Sequence, residues 1–330
     1  MATAMVRQVL LCLMAAVAAL LAAALARPAN AQGYPSKPIR LVVSAVPGGA
    51  PDIVARLISS ALTISEGWNI VVENRPGALQ TLAAVEIARG EPDGHSVLVY
   101  SMPITTAPSL MPNLKLDFAK DLVPVIKIST SYNVLVVHPS VHAASVSELV
   151  GVLKDRPDKM SFSSGGYGTP AHLIGELFKL KTDVKAVHVP YARSNQVPDL
   201  LAGVNQFCFL NVLSAVELVE AGKLRALAVT APARLDLIKS VPTVVEAGFP
   251  ALSVEDWFAL AVKAGTPAEA IGRLNGAANK VLALPDVRAA FAKMGALPAG
   301  GDGAQLSEQM QSQTDLWRQV VRDAGIKIPE

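Results

Sequence analysis

Cysteine, aromatic residues and net charge are all scarce in this 330-residue chain. Its two cysteines are Cys12 and Cys208. Cys12 lies in an apolar run near the amino terminus. Leu10 and Leu11 precede it where a lipoprotein signal would have small residues, so no lipoprotein signal is expected. With that segment set aside, one thiol remains and no internal disulfide is possible, so the fold must rest on its apolar core. Cys208 sits in the apolar run 207–210 and reads as a small buried hydrophobe. Aromatics make up 5% of the chain, too few for a base-stacking platform. The net charge of +2 vanishes without residues 1–31, which carry Arg7 and Arg27 and no acid. That leaves no basic footprint for nucleic acid and no polybasic or amphipathic membrane segment.

Signatures of catalysis are missing as well. There is no Gly-x-Ser-x-Gly elbow and no phosphate loop ending in Gly-Lys-Ser/Thr. Gly165-Gly166-Tyr167-Gly168 departs from the dinucleotide fingerprint. The histidines are His95, His138, His142, His172 and His188. His138 and His142 have i, i+4 spacing, but Pro139 between them disrupts the helix that a metal pair would need. No two acids stand out as a general acid and base. The sequence thus predicts no enzyme, no cofactor and no metal.

The amino terminus carries an address. Arg7 is followed by the uncharged, apolar stretch 9–26 and by Ala29-Asn30-Ala31, a small-residue cleavage site. Residues 1–31 are expected to be a signal peptide, with Gln32 the first mature residue. Beyond it, strand-like and helix-like runs alternate without repeats, low complexity or a long linker, which predicts open, mostly parallel α/β sheets. After the last strand, 271–282 and 306–321 read as helices, a tail of the kind that packs back on the first domain.

The run 44–52, Ser-Ala-Val-Pro-Gly-Gly-Ala-Pro-Asp, follows an apolar strand at 39–43. It precedes a helix whose Val54, Leu57, Ile58 and Ala61 share one face. Gly48 and Gly49 allow φ > 0 and close backbone approach, and Pro51 suits a helix start. The free amides and positive dipole end of the helix would favour an anion. Alone, such a turn serves equally as a tight connection that binds nothing. A second turn has the same plan: strand residues to Ser163, then Ser164-Gly165-Gly166-Tyr167-Gly168, Thr169 as N-cap and Pro170 at the first helical position. Facing each other, the two turns would form a cleft with a helix amino terminus on each wall. His172 lies in the first turn of the second helix, either as a ligand contact or as a polar helix residue.

Several motifs, in order, cover essentially the whole mature chain. They are Tyr34-Pro35-Ser36-Lys37-Pro38-Ile39-Arg40, Pro47-Gly48-Gly49 with Asp52-Ile53-Val54-Ala55-Arg56, Glu73-Asn74-Arg75-Pro76-Gly77-Ala78, His188-Val189-Pro190-Tyr191 and Ala221-Gly222-Lys223-Leu224-Arg225-Ala226-Leu227. Together they resemble the Bug family, the periplasmic substrate-binding receptors of tripartite tricarboxylate transporters. The resemblance implies a two-lobed α/β periplasmic binding protein, a Venus flytrap of type II-like plan. Lobe 1 would be discontinuous, 32–130 and 260–330, and lobe 2 would span 131–259. It also implies a monomer in the periplasm that binds a small carboxylate between the lobes and passes it to membrane permease subunits. A ligand-sensing receptor for a membrane sensor kinase, or an exported enzyme using the same cleft, are the alternatives.

On that resemblance the ligand site would comprise Ala45, Pro47, Gly48, Gly49, Ala50 and Asp52 from the first turn. Ser163, Ser164, Gly165, Tyr167, Gly168 and Thr169 would come from the second, with Arg193 and Leu210 beside them. Arg193 reads either as a second anion contact or as an exposed loop residue. The chain departs from the family pattern where Leu79-Gln80 replace Gly-Gly, Ala192-Arg193-Ser194 replace Lys-Gly-Gly, and Leu210 replaces an aspartate. Leucine cannot pair with a ligand ammonium, and leaving that charge buried costs several kcal/mol. The expected ligand is therefore a dicarboxylate or an apolar-bodied carboxylate rather than an amino acid.

Overall fold

The computed structural model describes residues 33–191 and 195–328. The leader and Arg193, with its neighbours Ala192 and Ser194, lie outside the described residues. The chain divides into residues 1–36 and a compact unit, 37–330. Within the first of these, residues 33–36 carry no helix or strand.

The larger unit contains eleven strands among the described residues: β1 Ile39–Val43, β2 Ile70–Asn74, β3 Ser96–Ser101, β4 Leu122–Ser131, β5 Asn133–Val137, β6 Ser161–Ser164, β7 Val187–Pro190, β8 Phe207–Asn211, β9 Arg225–Val229, β10 Asp256–Lys263 and β11 Leu297–Gly300. Its longer helices are α1 Ala50–Glu66, α2 Thr81–Arg89, α3 Val146–Asp155, α4 Pro170–Thr182, α5 Val212–Glu220, α6 Ala268–Leu282, α7 Pro285–Lys293 and α8 Gly303–Asp323. One sheet has the order β11-β4-β10-β3-β1-β2 and the other β7-β6-β8-β5-β9. This is the two-lobed α/β fold of periplasmic binding proteins. The sheets are mixed rather than mostly parallel, which corrects the sequence expectation. β10 runs antiparallel to both β3 and β4, and β5 runs antiparallel to β8 and β9. The reversal follows from the chain path: β4 and β5 are separated only by Tyr132, and each joins a different sheet.

Among the strands and longer helices, three were not anticipated from the sequence, namely β4, α7 and β11. Pro124 breaks the apolar run of β4, and a proline inside a candidate strand argues against it. In the structure Pro124 lies opposite Ala261, next to a register irregularity between Leu260 and Ala261, where a missing N–H does least harm. β10 begins at Asp256, so the first sheet takes up residues 256–259, which the sequence reading had given to lobe 2.

The carboxy-terminal helix α8 belongs to the core. Trp317 is fully buried in one apolar cluster with Tyr100, Trp257 and Leu306. Tyr100 and Trp257 meet edge to face at 5.5 Å, and the indole N–H of Trp257 donates to Gln313 Oε1 at 2.6 Å. Helix α8 packs on β4 and the 102–110 segment and also reaches α4. Trp317→Ala should therefore cost about 3–5 kcal/mol in urea unfolding. A loss below about 1 kcal/mol would mean that α8 is not integral to the core.

Candidate functional site

Both glycine-rich turns leave the carboxyl end of a strand, β1 or β6, where open α/β sheets place ligands. The strand register puts the crossings between sheets at the same edge. Asp256 lies opposite Ser131, Phe258 opposite Ser101, and Asn133 opposite Asn211. There Asn211 Nδ2 donates to Ser131 Oγ at 3.2 Å and to Asp256 Oδ2 at 3.3 Å, tying the second sheet to the first.

The first turn is shaped by its own polar groups. Gly48 has φ +76° and donates its amide to Asp52 Oδ2 at 2.9 Å. Arg56 Nε donates to the same oxygen at 3.0 Å, while Asn74 Nδ2 donates to Asp52 Oδ1 at 2.9 Å and to the carbonyl of Ala45 at 3.0 Å. Asp52 is 2% exposed. Burial alone would raise its pKa; Arg56, the Gly48 amide and Asn74 outweigh that and hold it below the usual range. Asp52 is thus a strut of the turn. Gly49 likewise spends its amide on the carbonyl of Val46. Among the described residues, the amides of Ala45, Val46 and Ala50 have no protein partner, and Pro47 has none to give.

The second turn follows the same logic with histidine in place of aspartate. Gly168 has φ +72° and donates its amide to His172 Nδ1 at 3.0 Å. Ser164 Oγ accepts from the Gly166 amide and contacts His188 Nε2 at 2.6 Å. Thr169 Oγ1 donates to the Gly166 carbonyl at 2.7 Å. Ser163 is fully buried beneath the turn. Gly168, Ser164 and Thr169 thus hold the turn through their own hydrogen bonds. The amides of Gly165, Tyr167, Ala171 and His172 have no protein partner among the described residues. Ala171 and Val46 are not singled out by the sequence reading, which names His172 as either a ligand contact or a polar helix residue; the signal of all three is position, just inside or just before a helix start.

The second turn approaches segments that follow β2 and β3 of the first sheet. A Cβ built on Gly168 would stand 2.7 Å from Leu79 Cδ2, 2.8 Å from Thr106 Oγ1 and 3.1 Å from Leu110 Cδ1. A Cβ on Gly48 would meet no protein atom within 4 Å. Leu210, expected as a cleft wall, is 4% exposed and packs with Val134, Val136, Ala171 and Leu200. The period-2 pleat sends Phe207 and Phe209 to the other face, against Phe178 of α4.

His172 stacks on His188 at 4.1 Å, with Tyr167 edge-on to both rings. Burial, then the neighbouring His188 and Lys179, push the pKa of His172 down to about 3, and burial pushes His188 to about 4. The neutral ring of His172 accepts at Nδ1 and so carries its proton on Nε2. Asp256 moves the other way: burial raises it to about 7, against hydrogen bonds from the Trp257 amide and Asn211 and with help from Glu255. Unfolded His172 would protonate near pH 6.5 while the folded form stays neutral, so its contribution is present above pH 6.5 and lost as the pH falls toward 3. Asp256 opposes this between pH 7 and 3.8, where the folded state holds the extra proton. His172→Gln should flatten the acid-side loss by about 1 kcal/mol per pH unit between pH 6 and 4.5. Asp256→Asn should steepen it over the same window. Denaturant titrations at stepped pH measure both; unchanged slopes would rule out the assignment.

The family model for the tripartite tricarboxylate transporter family receptor matches residues 54–326. The chain belongs to that family. Protein BugT of Bordetella pertussis is 34% identical to this receptor over 309 residues, covering 93% of this chain and 95% of its own. Among solved structures, Rpa4515 of R. palustris, solved with adipate, is 30% identical with a TM-score of 0.82, covering 89% of this chain and 99% of its own. MatC of Rhodopseudomonas palustris, solved with bound malate, is 28% identical with a TM-score of 0.79, covering 87% and 100%. Family and fold are those of periplasmic binding proteins rather than enzymes.

Proposed function

We propose that this receptor binds a small dicarboxylate between its two glycine-rich turns and delivers it to the permease subunits of a tripartite tricarboxylate-type transporter. One observation carries the reading. At the amino termini of α1 and α4, two sets of backbone amides are left unspent after each turn has satisfied its own polar groups. A helix start with free amides is an anion site, and two of them suit the two ends of a dicarboxylate. The adipate and malate carried by the two R. palustris relatives support the ligand class. The leader 1–31 supports export, with cleavage after Ala31 and an intact mass that begins at Gln32. Two buried acids argue against an amino-acid ligand. Asp52 is spent within its turn, and Asp256 is buried with its pKa raised toward neutrality.

Calorimetry on the mature protein should find a straight-chain dicarboxylate or malate binding at least tenfold tighter than aspartate or glutamate, a difference of about 1.4 kcal/mol. At 100 times its Kd such a ligand should stabilise the protein by about 2.7 kcal/mol. An amino acid as the tightest ligand would overturn the reading. Gly168→Val should weaken binding far more than Gly48→Ala. Both positions have φ > 0, but only at Gly168 does an added side chain collide with Leu79, Thr106 and Leu110. Equal affinities in the two folded variants would remove the second turn from the site.

A further inference from the structure

Three consecutive residues without the freedom of glycine, Ala78, Leu79 and Gln80, have positive φ of 47°, 53° and 72°. L-residues avoid this region because Cβ crowds the following carbonyl, and runs of them are rarer than single cases. The run joins β2 to α2 and is held in place from one side. Gln80 Nε2 donates to Ser101 Oγ at 2.6 Å, and its Oε1 accepts the Ser101 amide at 2.8 Å, both buried at the carboxyl end of β3. Preceding Gly77, with φ 123°, turns the chain into it.

The conformation has one consequence for the site. It carries Leu79, half-buried against the apolar core, across to the second turn, so that its Cδ2 is the protein atom nearest to where a Cβ on Gly168 would lie. Leu79 lies in the connection after β2 of the first sheet and Gly168 in the turn after β6 of the second. A bulky apolar side chain therefore spans from one wall to the other beside the unspent amides. Strain retained at such a place points to a functional constraint.

We propose that Leu79 is a specificity-determining residue of the interlobe site, an apolar wall that selects dicarboxylates with a methylene body over hydroxylated ones of equal charge. This rests on the dicarboxylate reading of the cleft. A hydroxyl turned toward Leu79 gives up water and gains no partner there, whereas methylene groups gain apolar contact.

The test uses the full mature receptor, straight-chain dicarboxylates of four to eight carbons, and malate, with affinities by calorimetry. Leu79→Gly and Leu79→Asn both tolerate the left-handed backbone, and Asn does so without the added chain flexibility of glycine. In the wild type the best straight-chain acid should bind at least tenfold tighter than malate. Both variants should lose most of that ratio, chiefly through weaker binding of the straight-chain acid, while malate affinity changes less than about threefold. An unchanged ratio in folded variants would overturn the role of Leu79 and leave the dicarboxylate reading standing. Equal loss for every ligand would also overturn it, by assigning Leu79 to packing alone. A wild type that binds none of these acids would overturn the reading of the cleft, and the wall with it.

Discussion

The clasp between Asn74 and Asp52 is the interaction on which the first half of the site depends. One side-chain amide holds a carboxylate oxygen of Asp52 and the carbonyl of Ala45, and the other oxygen of Asp52 collects Gly48 and Arg56. The turn, the start of α1 and the end of β2 are thereby fixed relative to one another. Without a partner the buried carboxylate would be costly; with three donors it becomes the template around which the loop closes. The next motif residues extend the brace. Arg40 reaches Glu73 and Glu86, and Arg75 reaches the same two acids, joining β1, β2 and α2.

The second turn reaches the same end by different chemistry. His172 accepts an amide without carrying a charge, and its burial among His188 and Tyr167 keeps it neutral. A charged imidazole there would present a donor to the Gly168 donor and set a positive charge beside Lys179. Both turns therefore consume inward-facing amides on an internal acceptor and leave others for an anion. The preference for negative charge comes from backbone dipoles, with no arginine or lysine of either turn needed.

Much of this was legible in the sequence because it is local. Glycine-rich turns between an apolar strand and an amphipathic helix announce themselves, and the motif order pointed to the family. What was not legible is the difference between an amide that faces outward and one already used, since that depends on Asn74 and His172 arriving from elsewhere in space or along the helix. The internal bonds of Asp52, Ser164 and Gly168 are invisible for that reason. Burial of Leu210 is equally hidden, because period 2 fixes which residues share a face but not what each face meets. β4 was missed because Pro124 is tolerated only at an irregularity that its partner strand supplies. The left-handed run at 78–80 is not announced by its own residues, none of which favours that conformation; its trace is the Gly-Gly of the family pattern that Leu79-Gln80 replace.

The order of strands in the two sheets also sets an order of assembly. All strands of the second sheet lie between residues 133 and 229, so that lobe can close on itself once that stretch is free to fold. In the first sheet β3 has no neighbour on one side until Asp256–Lys263 arrives, and β4 stays unflanked until both β10 and β11 do. Those pairings span more than a hundred residues of chain, and closing such loops is slow. A polypeptide crossing a membrane amino terminus first would thus emerge with an incomplete first lobe. It would keep the exposed edges of β3 and β4 open until its last helices had followed, a window in which a chaperone has an edge to hold and an aggregate has one to extend.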